Sequence, residues 1–160
     1  MTELPKHGNH SDRPDIRGRS DVELLVTEFY SAAFADPLLG PVFVDIARMD
    51  LAEHLPVMCD FWETVLFRAG LYHRNALAVH VALHARARLT SDHFARWLFI
   101  WTHTVDRRFS GGKAELAKEQ ARRIAWSLGQ RLNGASGSEF VKIRRRPHSS
   151  DQEAAPPAQA

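Results

Sequence analysis

The chain of 160 residues has a single cysteine and no long apolar run. Cys59 alone cannot form an intramolecular disulfide, so we expect a reducing compartment, with the cytoplasm as the default. The apolar runs are shorter than the roughly 20 residues that a membrane-spanning helix needs. The segment from Met1 to Ser20 has no apolar stretch of the kind that a secretory signal contains, so we expect no such signal. These absences argue against a secreted disulfide-rich protein and against a membrane protein.

The segment that we expect to fold, residues 21–133, also has no excess of positive or negative charge. Between Asp21 and Asn133 there are 13 Lys and Arg residues and 13 Asp and Glu residues, so the formal charge of +2 comes from the two ends. A nucleic-acid-binding domain carries its basic residues on the folded part. We therefore expect no nucleic-acid partner, and we interpret the basic cluster around Arg144 to Arg146 as part of a solvated tail.

Common catalytic motifs are absent as well. There is no phosphate-binding Walker loop, no G-x-S-x-G nucleophile motif and no dinucleotide-binding glycine pattern. His80 and His84 have the spacing of a zinc-binding helix, but Val81 follows the first histidine where the catalytic motif has glutamate. No cysteine pair or nearby carboxylate supplies the further ligands of a zinc site. A zinc protein that uses His80 and His84 is therefore an alternative for which the other zinc ligands are missing. Cys59 adjoins Met58 in an apolar setting, which favours a buried and inert thiol.

What the chain does contain is apolar residues at helical spacing. Such stripes lie at residues 22–33, 51–65, 94–105 and 117–132, and a shorter helix is predicted from about Asn75. Ser20 with Glu23, and Asp50 with Glu53, have the spacing of capping boxes at two helix starts. No segment alternates as a half-buried strand would. The pattern predicts an all-α domain of about five helices over residues 21–133, with disordered tails at 1–20 and 134–160.

Several residues that can carry chemistry lie on these apolar faces. Tyr30, His54 and Trp97 fall at or beside stripe positions, where each of them alone can be an ordinary core residue. His80 and His84 lie one turn apart on the third predicted helix. An inward imidazole on such a helix can be an axial ligand of haem iron, or a structural or solvent-facing histidine.

Four segments of the chain line up in order with one protein family. They are Glu28-Phe29-Tyr30 followed by Asp36-Pro37-Leu38-Leu39-Gly40-Pro41-Val42-Phe43; Glu53-His54 with Phe61-Trp62; Tyr72 with His80; and His93-Phe94-Ala95-Arg96-Trp97-Leu98. In this order they resemble the group III truncated haemoglobins, over residues 21–132. The resemblance implies a globin-like, two-over-two helical sandwich that binds haem b.

The resemblance leaves two histidines for the proximal ligand of the iron. Counting forward from Tyr72 selects His80, which would bind through Nε2, whereas counting back from Trp97 selects His84. An extra helical turn between the two histidines reconciles the counts. We prefer His80 because Leu77 and the residues before it also match the family.

The other matched residues would surround the haem and its ligand. Tyr30, His54 and Trp97 would donate hydrogen bonds to the bound ligand, whose negative charge buried donors stabilise. One such bond is worth about 1.5–3 kcal/mol, or tenfold or more in the rate of ligand release. The residues that would contact the haem are these three together with Phe43, Met58 and Trp62.

These roles predict a cytoplasmic haem protein that binds O₂, with NO, CO and peroxide as further candidate ligands. The crowded set of donors favours slow release, which suits redox chemistry or sensing better than oxygen transport. NO dioxygenase or peroxidase-like activity would need an external reductase, because the chain has no flavin or nicotinamide segment. We expect a monomer with no nucleic-acid or membrane partner. The alternative is a haem-free helical interaction module in which the same residues are core.

Overall fold

A computed structural model describes residues 12–72 and 75–134. In them the chain forms five α-helices: α1 (Arg19–Ala35), α2 (Leu51–Phe67), α3 (Ala76–Arg86), α4 (Ser91–Arg108) and α5 (Gly112–Gly129). One short π-helix, Val42–Ile46, precedes α2, and another, Gln130–Gly134, continues α5. The described residues contain no strand, and none of their helices is long and apolar enough to cross a membrane. The predicted all-α class is confirmed.

Two helix pairs form the body of the fold. α1 packs on α2 and α4 packs on α5, and the pairs meet where α1 contacts α4 and α2 contacts α5. This is the two-over-two arrangement that the resemblance implies. Within residues 12–72 and 75–134, α3 is not among the closely packed helix pairs.

The core between the two pairs is aromatic at its centre. Trp101 stacks on Trp62 with ring centroids 4.1 Å apart, and Phe29 meets Trp101 edge-on at 5.3 Å. The Trp101 indole N–H donates to the carbonyl of Ala117 on α5 at 3.2 Å. The buried indole therefore has a hydrogen-bond partner, as a buried polar group requires.

The start of α1 differs from the sequence prediction. The helix begins at Arg19, its N-cap is Gly18, and no side chain caps it, so the capping box predicted at Ser20 and Glu23 is wrong. Because the helix begins at Arg19, Ser20 lies inside the first turn and not at the cap position, and Glu23 accepts a hydrogen bond from the Arg19 guanidinium at 3.3 Å. At α2 the predicted cap residue, Asp50, does accept a hydrogen bond from an amide of the first turn.

Residues 12–18 pack against the helices, although the sequence assigns them to a disordered tail. Ile16 is 2% exposed and belongs to the main core. The Asp15 carboxylate accepts hydrogen bonds from the Lys113 and Ala114 amides at 2.9 and 2.8 Å, and so caps α5. For residues 12–20 the structure thus differs from the expected tail, because one apolar side chain and one capping carboxylate tie this segment down. The remainder of the two predicted tails, residues 1–11 and 135–160, lies outside the described residues.

Candidate functional site

A hydrogen bond between Tyr30 and His54 joins α1 to α2. Tyr30 is 6% exposed, and its Oη lies 3.0 Å from His54 Nε2. Tyr30 lies on the inner face of α1, and His54 lies near the start of α2. Burial raises the pKa of the Tyr30 hydroxyl, so the group stays protonated and remains a hydrogen-bond donor.

Aromatic rings surround the Tyr30 member of this polar pair. The Tyr30 ring meets Phe29, Phe34 and Phe43 edge-on, with ring centroids between 5.1 and 5.9 Å apart. Phe43 comes from the π-helix before α2 and is partly buried against the core. Because these surroundings are apolar, a hydrogen bond made here is electrostatically stronger than the same bond in water.

Trp97 reaches the same cluster from α4. Its partly buried ring is edge-on to Phe29, with centroids 5.9 Å apart, and is parallel to the ring of Trp101. Phe29 in turn contacts Tyr30. The structure therefore brings the three predicted donors into one aromatic cluster, in which Tyr30 and His54 touch directly and Trp97 joins through Phe29.

An ion pair ties the end of α1 to α4 beside this cluster. Arg96 Nε donates to Asp36 Oδ2 at 2.6 Å, and the amides of Leu38 and Leu39 both donate to Oδ1 at 3.0 Å. Burial alone would raise the pKa of Asp36, but these hydrogen bonds outweigh it and hold the pKa below its ordinary value. Since Asp36 follows α1 directly and Arg96 precedes Trp97, the pair fixes the separation of the helices that carry two of the donors.

α3 carries both candidate iron ligands. His80 and His84 are each partly buried. His84 Nδ1 accepts a hydrogen bond from the Leu89 N–H at 3.0 Å, and Arg86 donates to the Ile46 carbonyl. A neutral imidazole that accepts through Nδ1 carries its proton on Nε2. In this arrangement neither nitrogen of His84 presents a lone pair to a metal.

A comparison with solved structures identifies the fold. The chain superposes over 79% of its length on 99% of the crystal structure of group III truncated hemoglobin from Campylobacter jejuni, with a TM-score of 0.68 and 21% sequence identity. The chain has the fold of a truncated haemoglobin. No protein-family model and no curated protein sequence matches it. The fold predicted from the resemblance is thus confirmed, and the roles of single residues stay predictions.

In this truncated-haemoglobin fold, the two other predicted haem contacts lie on α2. Met58 is partly buried and packs against the main core. Trp62 is buried, and its ring is stacked on Trp101 and edge-on to Phe61. The structure accounts for Trp62 as a core residue, and a part for it in holding a cofactor stays a prediction.

No multi-ligand metal site is present in the described part of the chain. Within residues 12–72 and 75–134, no three His, Cys, Asp or Glu side chains come together so that they could hold a metal ion. A haem iron needs only one axial ligand from the protein. The cofactor that the truncated-haemoglobin fold suggests is therefore compatible with a single histidine on α3.

Sequence reasoning missed the residues that hold this site in place. Asp36 and Arg96 both stand in segments that resemble the family, which was the only signal that they matter. Helical spacing shows which face of a helix is buried, but it does not show that two charges 60 residues apart will pair. The hydrogen bond of His84 was missed for the same reason, because it depends on how the chain turns after α3.

Proposed function

We propose that this chain is a haem-binding globin of the group III truncated type that binds O₂ at the iron of haem b, with NO, CO and peroxide as further ligands. The observation that carries the proposal is the 3.0 Å hydrogen bond between the buried Tyr30 and the partly buried His54 inside a truncated-haemoglobin fold. Burying polar groups among aromatic rings costs free energy. The Tyr30 hydroxyl and the His54 imidazole would have a function that explains this cost if they donated hydrogen bonds to a bound ligand.

Residues of α2, α3, α4 and the π-helix that precedes α2 fit a haem group. α3 has a partly buried face with Leu77 and His80, and in the described part of the chain it is not among the closely packed helix pairs. Phe43, Met58 and Leu98 are apolar side chains at the edge of the main core that the protein covers only in part. A haem held by His80 and packed on Phe43 and Met58 would cover these apolar surfaces, and burial of apolar surface contributes about 25 cal/mol per Å².

The distal residues would supply hydrogen bonds to the ligand. A bound haem b would supply a ferrous iron at which O₂ can bind and gain negative charge. With its proton on Nε2, His54 donates to the Tyr30 oxygen, and the Tyr30 O–H is then available to the ligand; with the proton on Nδ1, His54 accepts from Tyr30 instead. His54 would therefore control where the Tyr30 proton points. Trp97, whose indole has one N–H donor, would add a bond from α4.

For the proximal ligand we propose His80. A histidine that binds a metal presents the lone pair of one ring nitrogen and donates the other ring N–H to an acceptor. His84 has the reverse arrangement, because its Nδ1 already accepts from the Leu89 amide. This hydrogen bond supports His80, as does the match of the residues before it to the family.

Slow ligand release would be the consequence of the crowded distal side. Each buried hydrogen bond to a charged ligand is worth about 1.5–3 kcal/mol, so two such bonds slow release by about a hundredfold or more. Such retention suits redox chemistry or sensing rather than oxygen transport. Turnover of NO or peroxide would draw electrons from an external reductase, since the sequence has no flavin or nicotinamide segment.

The optical spectrum of the purified protein tests haem binding. Protein from haem-replete cells should show a Soret band at about 400–430 nm, the usual range for haem proteins. His80→Ala should lose the normal five-coordinate ferrous spectrum, and His84→Ala should keep it. Colourless wild-type protein would contradict the proposal. A normal spectrum in His80→Ala with a loss in His84→Ala would transfer the ligand role to His84.

Stopped-flow measurement of O₂ dissociation tests the distal roles. Tyr30→Phe and Trp97→Phe should each release O₂ about tenfold faster or more than wild type. Matched controls are Tyr72→Phe, at the only other tyrosine, and Trp126→Phe, at a side chain that is 69% exposed. Wild-type rates in Tyr30→Phe and Trp97→Phe, or equal acceleration in the controls, would contradict the role of these donors.

A further inference from the structure

Two consecutive backbone amides in the link between α3 and α4 are bound by histidine side chains. The Leu89 N–H donates to His84 Nδ1 at 3.0 Å, and the Thr90 N–H donates to His93 Nδ1 at 3.0 Å. His84 lies in the last turn of α3, and His93 lies in the first turn of α4. The link, residues 87–90, is therefore held from both of the helices that it joins.

The two imidazoles have different local surroundings. His84 accepts through Nδ1 and so carries its proton on Nε2, whereas His93 Nδ1 lies 3.0 Å from the Thr90 amide nitrogen and 2.9 Å from the Thr90 hydroxyl oxygen. His93 completes a capping box, in which the third helical residue reaches back to the amide of the cap residue, Thr90. His84 has no such reason: the last turn of a helix has unpaired carbonyls and so needs donors, not acceptors. The bond of His84 thus serves the link rather than the helix end.

Other contacts fix the same end of α3 to the body of the fold. Leu89 is buried with Val42 and Leu132 in a small second core, against which Leu83 packs. Arg86 donates to a carbonyl of the π-helix that precedes α2. The link and this second core therefore hold the C-terminal end of α3 against the body of the fold.

We infer that His84 and His93 are positioning residues that set α3, with the proposed iron ligand His80, against α4, with the proposed donor Trp97. The inference rests on the proposed function. His84 lies one helical turn after His80, and His93 lies one turn before Trp97. Each of these two histidines binds an amide of the link and lies one helical turn from the residue that it positions. His84 is then not an iron ligand, but its hydrogen bond sets the position and orientation of His80, the proposed ligand.

Variants at His84 that keep or remove the acceptor test this inference. Asparagine places an acceptor oxygen near the position of Nδ1 but cannot ligate the iron as an imidazole does, whereas alanine has no acceptor. The readouts are the iron–histidine stretching band of the ferrous protein in resonance Raman spectra and the rate of haem transfer to apomyoglobin. His84→Ala should shift or broaden the band and lose haem about fivefold faster, which corresponds to the ~1 kcal/mol of one hydrogen bond. His84→Asn should match wild type in both readouts.

Two variants at His93 test its hydrogen bond to the Thr90 amide. His93→Ala should shift the same iron–histidine band, although His93 lies on α4 and not on the helix of the iron ligand. His93→Gln should restore the band, because glutamine is a common partner at this position of a capping box. An unmoved band in His93→Ala would overturn the assignment of His93.

The outcomes separate this inference from the function on which it rests. A His84→Ala protein that matches wild type in both readouts would overturn the inference, and so would a shifted band in His84→Asn, even if the alanine variant does not fold. Loss of the five-coordinate spectrum in both His84 variants, with retention in His80→Ala, would make His84 the ligand and overturn the inference while haem binding stands. Wild-type protein without a Soret band would instead contradict the proposed function.

Discussion

Replacing Asp36 with asparagine should remove one charge-assisted hydrogen bond and keep the shape of the side chain. The asparagine oxygen can still accept from the Leu38 and Leu39 amides, which both donate to Oδ1. Its NH₂ group would then face the Arg96 guanidinium, so that two donors meet. A hydrogen bond to a charged group contributes about 1.5–3 kcal/mol. Because the Arg96 side chain is 44% exposed while that of Asp36 is 4% exposed, solvent screening reduces the expected loss to about 1–2 kcal/mol.

Thermal unfolding followed by circular dichroism measures this loss and its pH dependence. At about pH 7 the Asp36→Asn protein should unfold about 3–8 °C below wild type. The pKa of Asp36 is lowered from 3.8 in the folded state. The stabilisation of the fold by ionised Asp36 is therefore fully present above the unfolded-state pKa, and it is lost as the pH falls through the lower folded-state pKa. The gap between the two proteins should be constant above about pH 5 and should close below about pH 4.

Glu119→Gln is the matched control for this prediction. It makes the same change from carboxylate to amide on α5, where Glu119 pairs with Arg122 and Arg123 on the exposed surface. Exposed pairs contribute little, so its unfolding temperature should stay near that of wild type. Equal unfolding temperatures for wild type and Asp36→Asn at about pH 7 would refute the reasoning. A gap that persists undiminished to about pH 3 would show that the lost interaction is not that of the ionised carboxylate.

Three further predictions concern the packing of the fold. Gly111→Ala should lower the free energy of unfolding in urea by at least ~1 kcal/mol, because Gly111 has a φ of +134° and an added Cβ would come 2.6 Å from Asp15. Gly112→Ala, where an added Cβ meets nothing within 4 Å, is the control, and equal losses would contradict the argument. Ile16→Ala should cost about 2–4 kcal/mol by the same measurement, and a loss below ~0.5 kcal/mol would mean that residues 12–18 do not stabilise the fold. Cys59 is fully buried and burial raises its thiol pKa to about 11, so a thiol reagent should label it only after unfolding; rapid labelling of the native protein would refute this.

The helices could be predicted from the sequence because they depend on local order. α1 ends at Ala35, two residues before Pro37, which disfavours helix in the residue that precedes it. Asn75 begins α3 by accepting a hydrogen bond from an amide of the first turn. The pair Gly111-Gly112 lies where α4 has ended and α5 begins. In each case the signal and the structure that it predicts lie within a few residues of each other.

The polar contacts that hold the site could not be predicted in this way. Asp36 and Arg96 are 60 residues apart, and Asp15 meets the start of α5 across 99 residues. Spacing within a helix shows which face is buried, but the partner of a charge on that face depends on how the helices are arranged. Tyr30 and His54 were assigned to one site because their segments resemble one family in order; the structure brings them into contact, and the hydrogen bond between them was not predicted.

The two sides of the proposed haem site depend on different parts of the molecule. On the distal side, Tyr30 and Trp97 meet through Phe29 in the main core, so a change there alters the stability of the whole fold together with the donors. On the proximal side, α3 depends on the link at residues 87–90 and on the small second core around Leu89. Regions with few buried contacts open at lower free energy than the main core. We therefore expect a substitution in the link to change how His80 is held at a lower cost in global stability than a distal substitution, so the proposed iron site can be altered from the link while the main core stays unchanged.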